Sequence, residues 1–431
     1  MFPPFEKTTI NDAVIAYNIF MVEINKNFHN LEKSTTLAIN EKSNELLSQG
    51  REVYKFGLGQ SPFPVPESVA EELQKKAHEK DYLAVAGLEE LRIEIAKYHS
   101  DKNQHHYSSS DIIVGPGSKE LLFQIQFVLD YELILPTPSW VSYLPQAILM
   151  NKKFHFIKSN ATINWDLNTK ELDELCKKNN KAKLLIINSP NNPSGTTFGN
   201  LNEIVEVAKK HNLIIVSDEI YCELDYEGKY KSITHLYPER TIINSGLSKW
   251  CGAGGWRLGY MVIPNSLKEI TNAMTIIGSE TYTSVSAPIQ YAAIKAYTDD
   301  HSEYLDKSRR ILKCISQFIR KRFLQDGIKC QPAQGGFYML CDFTETKLAK
   351  FNSGALICKK VLDETGFAML PGEDFGFESN EMLSRIAFVD FDGAKALQNL
   401  NDENLNDQFI QEYCPKIYKG VESLCSYIKT L

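Results

Sequence analysis

The sequence predicts an α/β protein: a large domain with a mostly parallel sheet covered by helices, plus a smaller α+β domain. Three observations predict it. The chain has 431 residues, 43% hydrophobic and 23% charged, an ordinary globular mixture long enough for two or three domains. Short apolar runs bounded by turn residues alternate with amphipathic helical patterns through the first two thirds. From about Pro288 that alternation gives way to a long helix followed by mixed strand and helix patterns.

The elements follow in chain order. Ala13 to Ile24 is apolar but only about 12 residues long and contains Asn18 and Glu23, too short to span a bilayer. With Glu6 and Asp12 upstream and no Arg or small-residue cleavage site, it fits no targeting template; it reads as an arm that packs on the body or on a partner. Buried strands are expected at Asp111–Val114, Glu132–Leu135, Lys183–Asn188, Leu213–Ser217, Thr241–Asn244 and Leu258–Ile263, with helices at Lys119–Leu129, Thr169–Lys178 and Asn202–Lys210. A helix at Ser302–Gln325 opens the second region. Gly-Gly-Phe-Tyr-Met-Leu-Cys-Asp-Phe follows, then a helix at Gly354–Thr365, a strand at Ser384–Val389 and a helix near Lys395–Leu400. The segment before Gly57 is its expected partner in space.

The formal charge of −7, without a basic block, argues against nucleic-acid binding. Nine dispersed Cys, with no Cys-x-x-Cys pair and no Cys/His cluster, indicate neither disulfides nor a metal site and place the chain in a reducing compartment.

In such sheets ligands bind beyond the carboxyl ends of the strands, and six turns there carry unusual chemistry. Gly115-Pro-Gly117 precedes Ser118-Lys119, which opens a helix whose free N–H groups suit a phosphate. Pro136-Thr-Pro-Ser is followed by Trp140, which can stack on a planar ligand. Asn188-Ser-Pro-Asn-Asn192-Pro-Ser-Gly195 is stiff and rich in amides. Asp218 ends an apolar run and so needs a cationic partner, with Tyr221 three residues on. Ser245-Gly246-Leu-Ser248-Lys249 leads a Gly-rich stretch to Arg257, giving a usable amine and a permanent cation. Arg385 enters an apolar strand and expects a carboxylate from protein or substrate. A phosphate loop, stacking aromatic, amide, carboxylate, Lys and Arg together match the needs of pyridoxal phosphate.

On these residues the chain resembles the class I/II (fold type I) pyridoxal-phosphate aminotransferases from about Ser34 to Phe391. Gly246-Leu-Ser-Lys249-Trp-Cys-Gly-Ala-Gly-Gly-Trp-Arg257-Leu-Gly259 fits the family's lysine signature. The resemblance implies that Lys249 forms the Schiff base and shuttles a proton, that Asp218 pairs with the pyridinium nitrogen, and that Asn192 and Tyr221 contact the ring oxygen O3′. It places Trp140 on the ring and Gly117, Ser118, Lys119, Ser248 and Arg257 around the phosphate. Tyr82, in Lys80-Asp-Tyr82-Leu-Ala-Val-Ala-Gly87, looks like the Tyr that reaches the neighbouring subunit's phosphate. Arg385 matches the Arg that holds the substrate carboxylate, with Asn188 as an assisting amide and Gly59 in the substrate-edge loop.

Two departures stand out. The family's Ser three residues before the Lys is Gly246 here, leaving Ser245 or Ser248 as its substitute. The edge loop reads Gly59-Gln-Ser-Pro-Phe rather than Gly-Glu-Pro-Asp-Phe.

The implied organisation is an N-terminal arm (1–30), a large cofactor-binding domain (59–300) and a small domain (31–58 and 301–431). The implied protein is a cytoplasmic homodimer that moves an amino group from an L-amino acid, aspartate or aromatic, to a 2-oxo acid such as 2-oxoglutarate. No residue is assigned to a distal substrate carboxylate; Lys119 is one candidate cation, but the phosphate loop is its expected place. A lyase of the same fold, ACC-synthase-like or carbon–sulfur cleaving, shares the cofactor residues and stays open. A cofactor-sensing regulator would need a basic DNA-binding domain that the roughly 30 extra N-terminal residues lack.

Overall fold

The computed structural model describes residues 22–28, 35–401 and 405–431. Most of the expected Ala13–Ile24 arm lies outside the described residues. Its last part, with Val22 and Ile24, is exposed, and Asn27 Nδ2 donates to Leu149 O at 3.0 Å.

The chain runs α1 (Thr35–Ser48), β1 (Tyr54–Lys55), α2 (Glu67–Lys76), α3 (Glu89–Asn103), β2 (Ile112–Gly115), α4 (Ser118–Val128), β3 (Glu132–Thr137), α5 (Tyr143–Leu149), β4 (Phe154–Lys158), α6 (Thr169–Lys178), β5 (Ala182–Asn188), α7 (Leu201–His211), β6 (Ile214–Asp218), β7 (Thr241–Gly246), β8 (Gly259–Val262), α8 (Lys268–Thr281) and α9 (Ala287–Thr298). It continues with α10 (Ser302–Gln325), β9 (Lys329–Cys330), β10 (Tyr338–Asp342), α11 (Gly354–Thr365), β11 (Phe367–Ala368), β12 (Leu370–Pro371), β13 (Leu383–Ala387), α12 (Gly393–Asn399), α13 (Asp407–Tyr413) and α14 (Pro415–Thr430).

Seven strands form one sheet in the order β2-β8-β7-β6-β5-β3-β4, parallel except for β8, which runs antiparallel to both its neighbours. Side chains alternate faces along a strand. Here both faces are covered: Leu184 and Ile186 of β5 join one buried cluster with Leu121 and Ile125 of α4, while Leu185 and Ile187 join another with Leu172 of α6 and Ile204 of α7. That two-sided burial is why these strands read as unbroken apolar runs. The edge strand β4, Phe-His-Phe-Ile-Lys, buries only Ile157 fully and has no such run.

The second region is built on the antiparallel sheet β12-β13-β10-β9. Tyr54 and Lys55 of β1 pair in parallel with Phe367 and Ala368 of β11, so the segment just before Gly57 joins the C-terminal region. Among the contacts fastening α3, α10 and the Cys222–Leu224 turn together is a buried ion network. Glu223 accepts from Lys102 Nζ and Tyr98 Oη and pairs with Arg309 Nη2 at 3.2 Å.

Candidate functional site

Register brings the strand-end turns together. Asn188 of β5 lies opposite Asp218 of β6, which lies opposite Asn244 of β7. Three adjacent parallel strands therefore release the amide-rich turn, the Asp218–Tyr221 turn and the Ser245–Lys249 turn along one line.

Asp218 is almost fully buried. Its carboxylate accepts from Tyr143 Oη at 2.6 Å and Asn244 Nδ2 at 3.0 Å. Burial pushes its pKa up to about 6, against the opposing pull of those two bonds, of the Ile220 N–H and of Lys249. A desolvated carboxylate held in this way is a ready partner for a ring cation. Sequence reasoning missed both holders: Tyr143 and Asn244 are isolated polar residues beside apolar runs, without a motif to mark them.

Lys249 Nζ donates to Gly59 O at 2.7 Å and lies 5.7 Å from the Tyr221 ring and 5.6 Å from the Phe337 ring. Tyr221 is buried, and its hydroxyl is 2.9 Å from that of Tyr338. Burial holds the Tyr221 pKa far above the usual phenol value, with Asp218 adding to it and Arg385 pulling the other way.

At the N-terminus of α4, Gly117 has φ +94, and a Cβ there would fall 2.1 Å from Arg257 Nη2. Only glycine lets the guanidinium lie against this turn, where it bonds Gly254 O at 2.9 Å and Pro116 O at 3.4 Å. Lys119 Nζ sits 5.0 Å over the Trp140 ring, and Trp140 packs edge-on to Tyr143 at 5.2 Å. Partial burial, Arg257 and Lys249 all pull the Lys119 pKa down. This cluster of cations, with N–H groups at a helix start, fits a phosphate.

Gly246 lies hard against the neighbouring strand. A Cβ there would lie 2.7 Å from Leu258 O and 2.8 Å from Gly259 Cα, so no serine fits unless the backbone shifts. Asn244 points to Asp218, so Ser245 points to the opposite face of β7, where it is buried opposite Tyr260. Ser248 is half-buried and precedes Lys249 in the chain.

Arg385 is buried between the Tyr338 and Phe375 rings, at 4.7 and 5.3 Å. Its Nη1 donates to Asn192 Oδ1 at 3.2 Å and its Nη2 to Gly57 O, while Nε is buried with no hydrogen-bond partner among the described residues. Burial lowers its pKa. A desolvated guanidinium with an orphaned donor suits an incoming carboxylate. Asn188, expected to assist here, is occupied elsewhere. Its Nδ2 donates to Asp218 O at 2.8 Å and its Oδ1 accepts from Asn192 N at 2.7 Å. The amide at Arg385 is Asn192, four residues further round the same turn. Tyr82 stands apart from the other candidates, 88% exposed.

A buried carboxylate, a cation-lined cradle, a stacking Trp and an amine beside two rings are the chemistry that pyridoxal phosphate requires, and the donor set present fits it. The chain belongs to the class I and II aminotransferases, whose family pattern matches residues 51–393. It is an aminotransferase dependent on pyridoxal phosphate, with amino acids and 2-oxo acids as its substrates. The aspartate aminotransferase of Bacillus subtilis (strain 168) is 33% identical over 374 residues, covering 84% of this chain and 93% of that protein. That of Bacillus sp. (strain YM-2) is 32% identical over 367 residues, covering 82% and 92%. Among solved structures, Thermotoga maritima aspartate aminotransferase superposes with a TM-score of 0.80 at 26% identity, over 94% of this chain and 100% of that one. The Thermus thermophilus aspartate aminotransferase with maleate gives 0.82 at 25% identity, over 94% and 100%.

Proposed function

We propose that this aminotransferase takes aspartate as amino donor and 2-oxoglutarate as acceptor, and that it works in the cytoplasm as a homodimer with shared sites. The observation that carries the donor is a second cation besides Arg385: Arg385 is held by Asn192 and Gly57, and Lys119, seated on Trp140, feels the charges of Arg257 and Lys249. One serves the α-carboxylate and the other the distal carboxylate of a dicarboxylic amino acid. On this reading the Lys119 main chain, in the first turn of α4, serves the phosphate, and its side chain over Trp140 serves the substrate. The relatives named as aspartate aminotransferases, one of them solved with the dicarboxylate maleate, support the same reading.

When bound, pyridoxal phosphate accepts the electron pair left on the substrate Cα and carries the amino group between the half-reactions. The chain's own groups do the rest. Asp218 keeps the ring nitrogen protonated, and Tyr143 and Asn244 keep Asp218 in place. Tyr221 and Asn192 donate to O3′, and Trp140 stacks on the ring. Gly117, Ser118, Ser248 and Arg257 hold the phosphate. Lys249 anchors the cofactor and, once released, takes the proton from the substrate Cα. Arg385 fixes the α-carboxylate, and with it the direction of the breaking Cα–H bond, while Gly59 borders the substrate.

Two features support the dimer. Tyr82 is 88% exposed in the single chain, and Arg257 and Lys119 at the phosphate cradle are exposed as well, so a second copy has an open site to complete. The nine cysteines are all free, which suits a reducing cytoplasm.

The test is an amino-donor screen against 2-oxoglutarate, read by glutamate formation, in wild type and Lys119→Ala. Aspartate should be the preferred donor. The variant should lose roughly 10-fold or more in kcat/KM for aspartate, the scale of a charge-assisted bond, and far less for alanine or phenylalanine. An equal loss for all donors would return Lys119 to the phosphate alone.

A further inference from the structure

We infer that Tyr338 is a positioning residue: its ring seats the Arg385 guanidinium, and its hydroxyl donates to the Tyr221 oxygen so that the Tyr221 proton is aimed at the cofactor. The inference rests on the placement of Tyr221 and Arg385 proposed above.

Tyr338 begins β10, buried and paired with Ala387 of β13, two residues beyond Arg385. From there it touches three parts of the site. Its ring lies 4.7 Å below the Arg385 guanidinium, and its hydroxyl is 2.9 Å from that of Tyr221. A Cβ at Gly59 would fall 1.8 Å from its oxygen, so only glycine there leaves room for the hydroxyl. The carbonyl of that same Gly59 receives Lys249 Nζ.

Two hydroxyls at this distance share one proton between them, and either can donate. If Tyr221 donated to Tyr338, its proton would be spent on protein, and the Tyr338 proton would have no hydrogen-bonded acceptor among the described residues. If Tyr338 donates to Tyr221, the Tyr338 proton is satisfied and the Tyr221 proton is left for the cofactor's O3′. Buried donors are rarely left unpaired, so the second direction is the one that satisfies both groups with the cofactor in place. Donation into the Tyr221 oxygen also strengthens Tyr221 as a donor in turn.

The ionisable groups facing this pair come from several elements: Asp218 of β6, Tyr143 of α5, Lys249 beyond β7, Arg385 of β13 and, acting on Arg385, Asp374. Among the described residues Tyr221 alone is hydrogen-bonded to the Tyr338 hydroxyl, so Tyr338→Phe removes that one bond while retaining the ring under Arg385.

The experiment titrates the visible absorbance band of resting holoenzyme against pH in wild type, Tyr338→Phe, Tyr221→Phe and the double variant. Donation to O3′ stabilises negative charge on that oxygen and so lowers the pH at which the neighbouring proton leaves. Tyr221→Phe should raise the midpoint by about one pH unit, the scale of a hydrogen bond to a charged group. Tyr338→Phe should raise it by about 0.3 of a unit, the scale of cooperative strengthening. The double variant should match Tyr221→Phe, because Tyr338 acts through Tyr221. In the same series Tyr338→Phe should keep the donor's KM, whereas Tyr338→Leu, lacking the ring under Arg385, should raise it roughly fivefold.

A Tyr338→Phe midpoint that is unmoved or lower, beside a raised Tyr221→Phe, would overturn the inference alone. So would the same Tyr338→Phe shift in both backgrounds. An unmoved Tyr221→Phe midpoint would overturn the placement of Tyr221, and this inference with it.

Discussion

Asp218→Asn separates what the buried carboxylate costs the fold from what it gives the reaction. Burial raises the folded Asp218 pKa to about 6, against about 4 for a free carboxyl, which corresponds to roughly 3 kcal/mol of lost stability at neutral pH. The sign follows from the direction. A raised pKa means that the folded chain binds the proton more tightly, so stability is fullest below about pH 4 and falls as pH rises to about 6. Asparagine is neutral throughout and does not show that fall. In cofactor-free protein, the stability of the variant minus that of wild type should therefore rise by up to about 3 kcal/mol between pH 4 and pH 8. For 431 residues this is a change of about 3 °C in the difference between melting temperatures. Calorimetry or denaturant midpoints of both proteins across that range measure it. Any hydrogen-bond change made by the substitution itself adds an offset that does not vary with pH. With cofactor bound, the same variant should lose several orders of magnitude in kcat, because a neutral pyridine is a poor electron sink. A stability difference that stays flat from pH 4 to pH 8, or near-normal turnover, would refute this reasoning.

Two further outcomes follow. Removing Glu223 leaves Lys102 and Arg309 close together with no shared carboxylate, so Glu223→Ala should cost about 3–5 kcal/mol by denaturant titration; a loss under ~1 kcal/mol would show that the network carries little. Mixing inactive Lys249→Ala chains with inactive Tyr82→Ala chains should restore part of the activity, because each mixed dimer keeps one site with both groups intact; mixtures of Lys249→Ala with Arg385→Ala, two groups expected on one chain, should restore none.

The sequence showed the frame of the fold wherever periodicity was strong. The helices at Thr169–Lys178, Ser302–Gln325 and Gly354–Thr365 match their expected limits, and the apolar runs became β2, β3, β5, β6, β7 and β8 to within two residues at either end. Strand β4 was not legible: at the sheet edge, Phe154, His155 and Phe156 are only partly covered and leave no apolar run. The strand-end polar residues were visible because Asp218, Lys249 and Arg385 interrupt apolar patterns. Their supporting contacts were not. Tyr143, Asn244 and Tyr338 reach the site by pairing and register across strands that are distant in sequence. The exchange of Asn188 for Asn192 beside Arg385 depends on how one turn folds, and both asparagines fit the composition of that turn equally well.

Lys249, where the ends of β5, β6 and β7 meet, is the residue proposed to hold the cofactor. Borohydride reduction of the holoenzyme followed by peptide mass spectrometry tests it directly. A pyridoxyl phosphate adduct should form on Lys249 of wild type and be absent from Lys249→Ala. An adduct on another lysine of wild type, or one that persists in the variant, would contradict it.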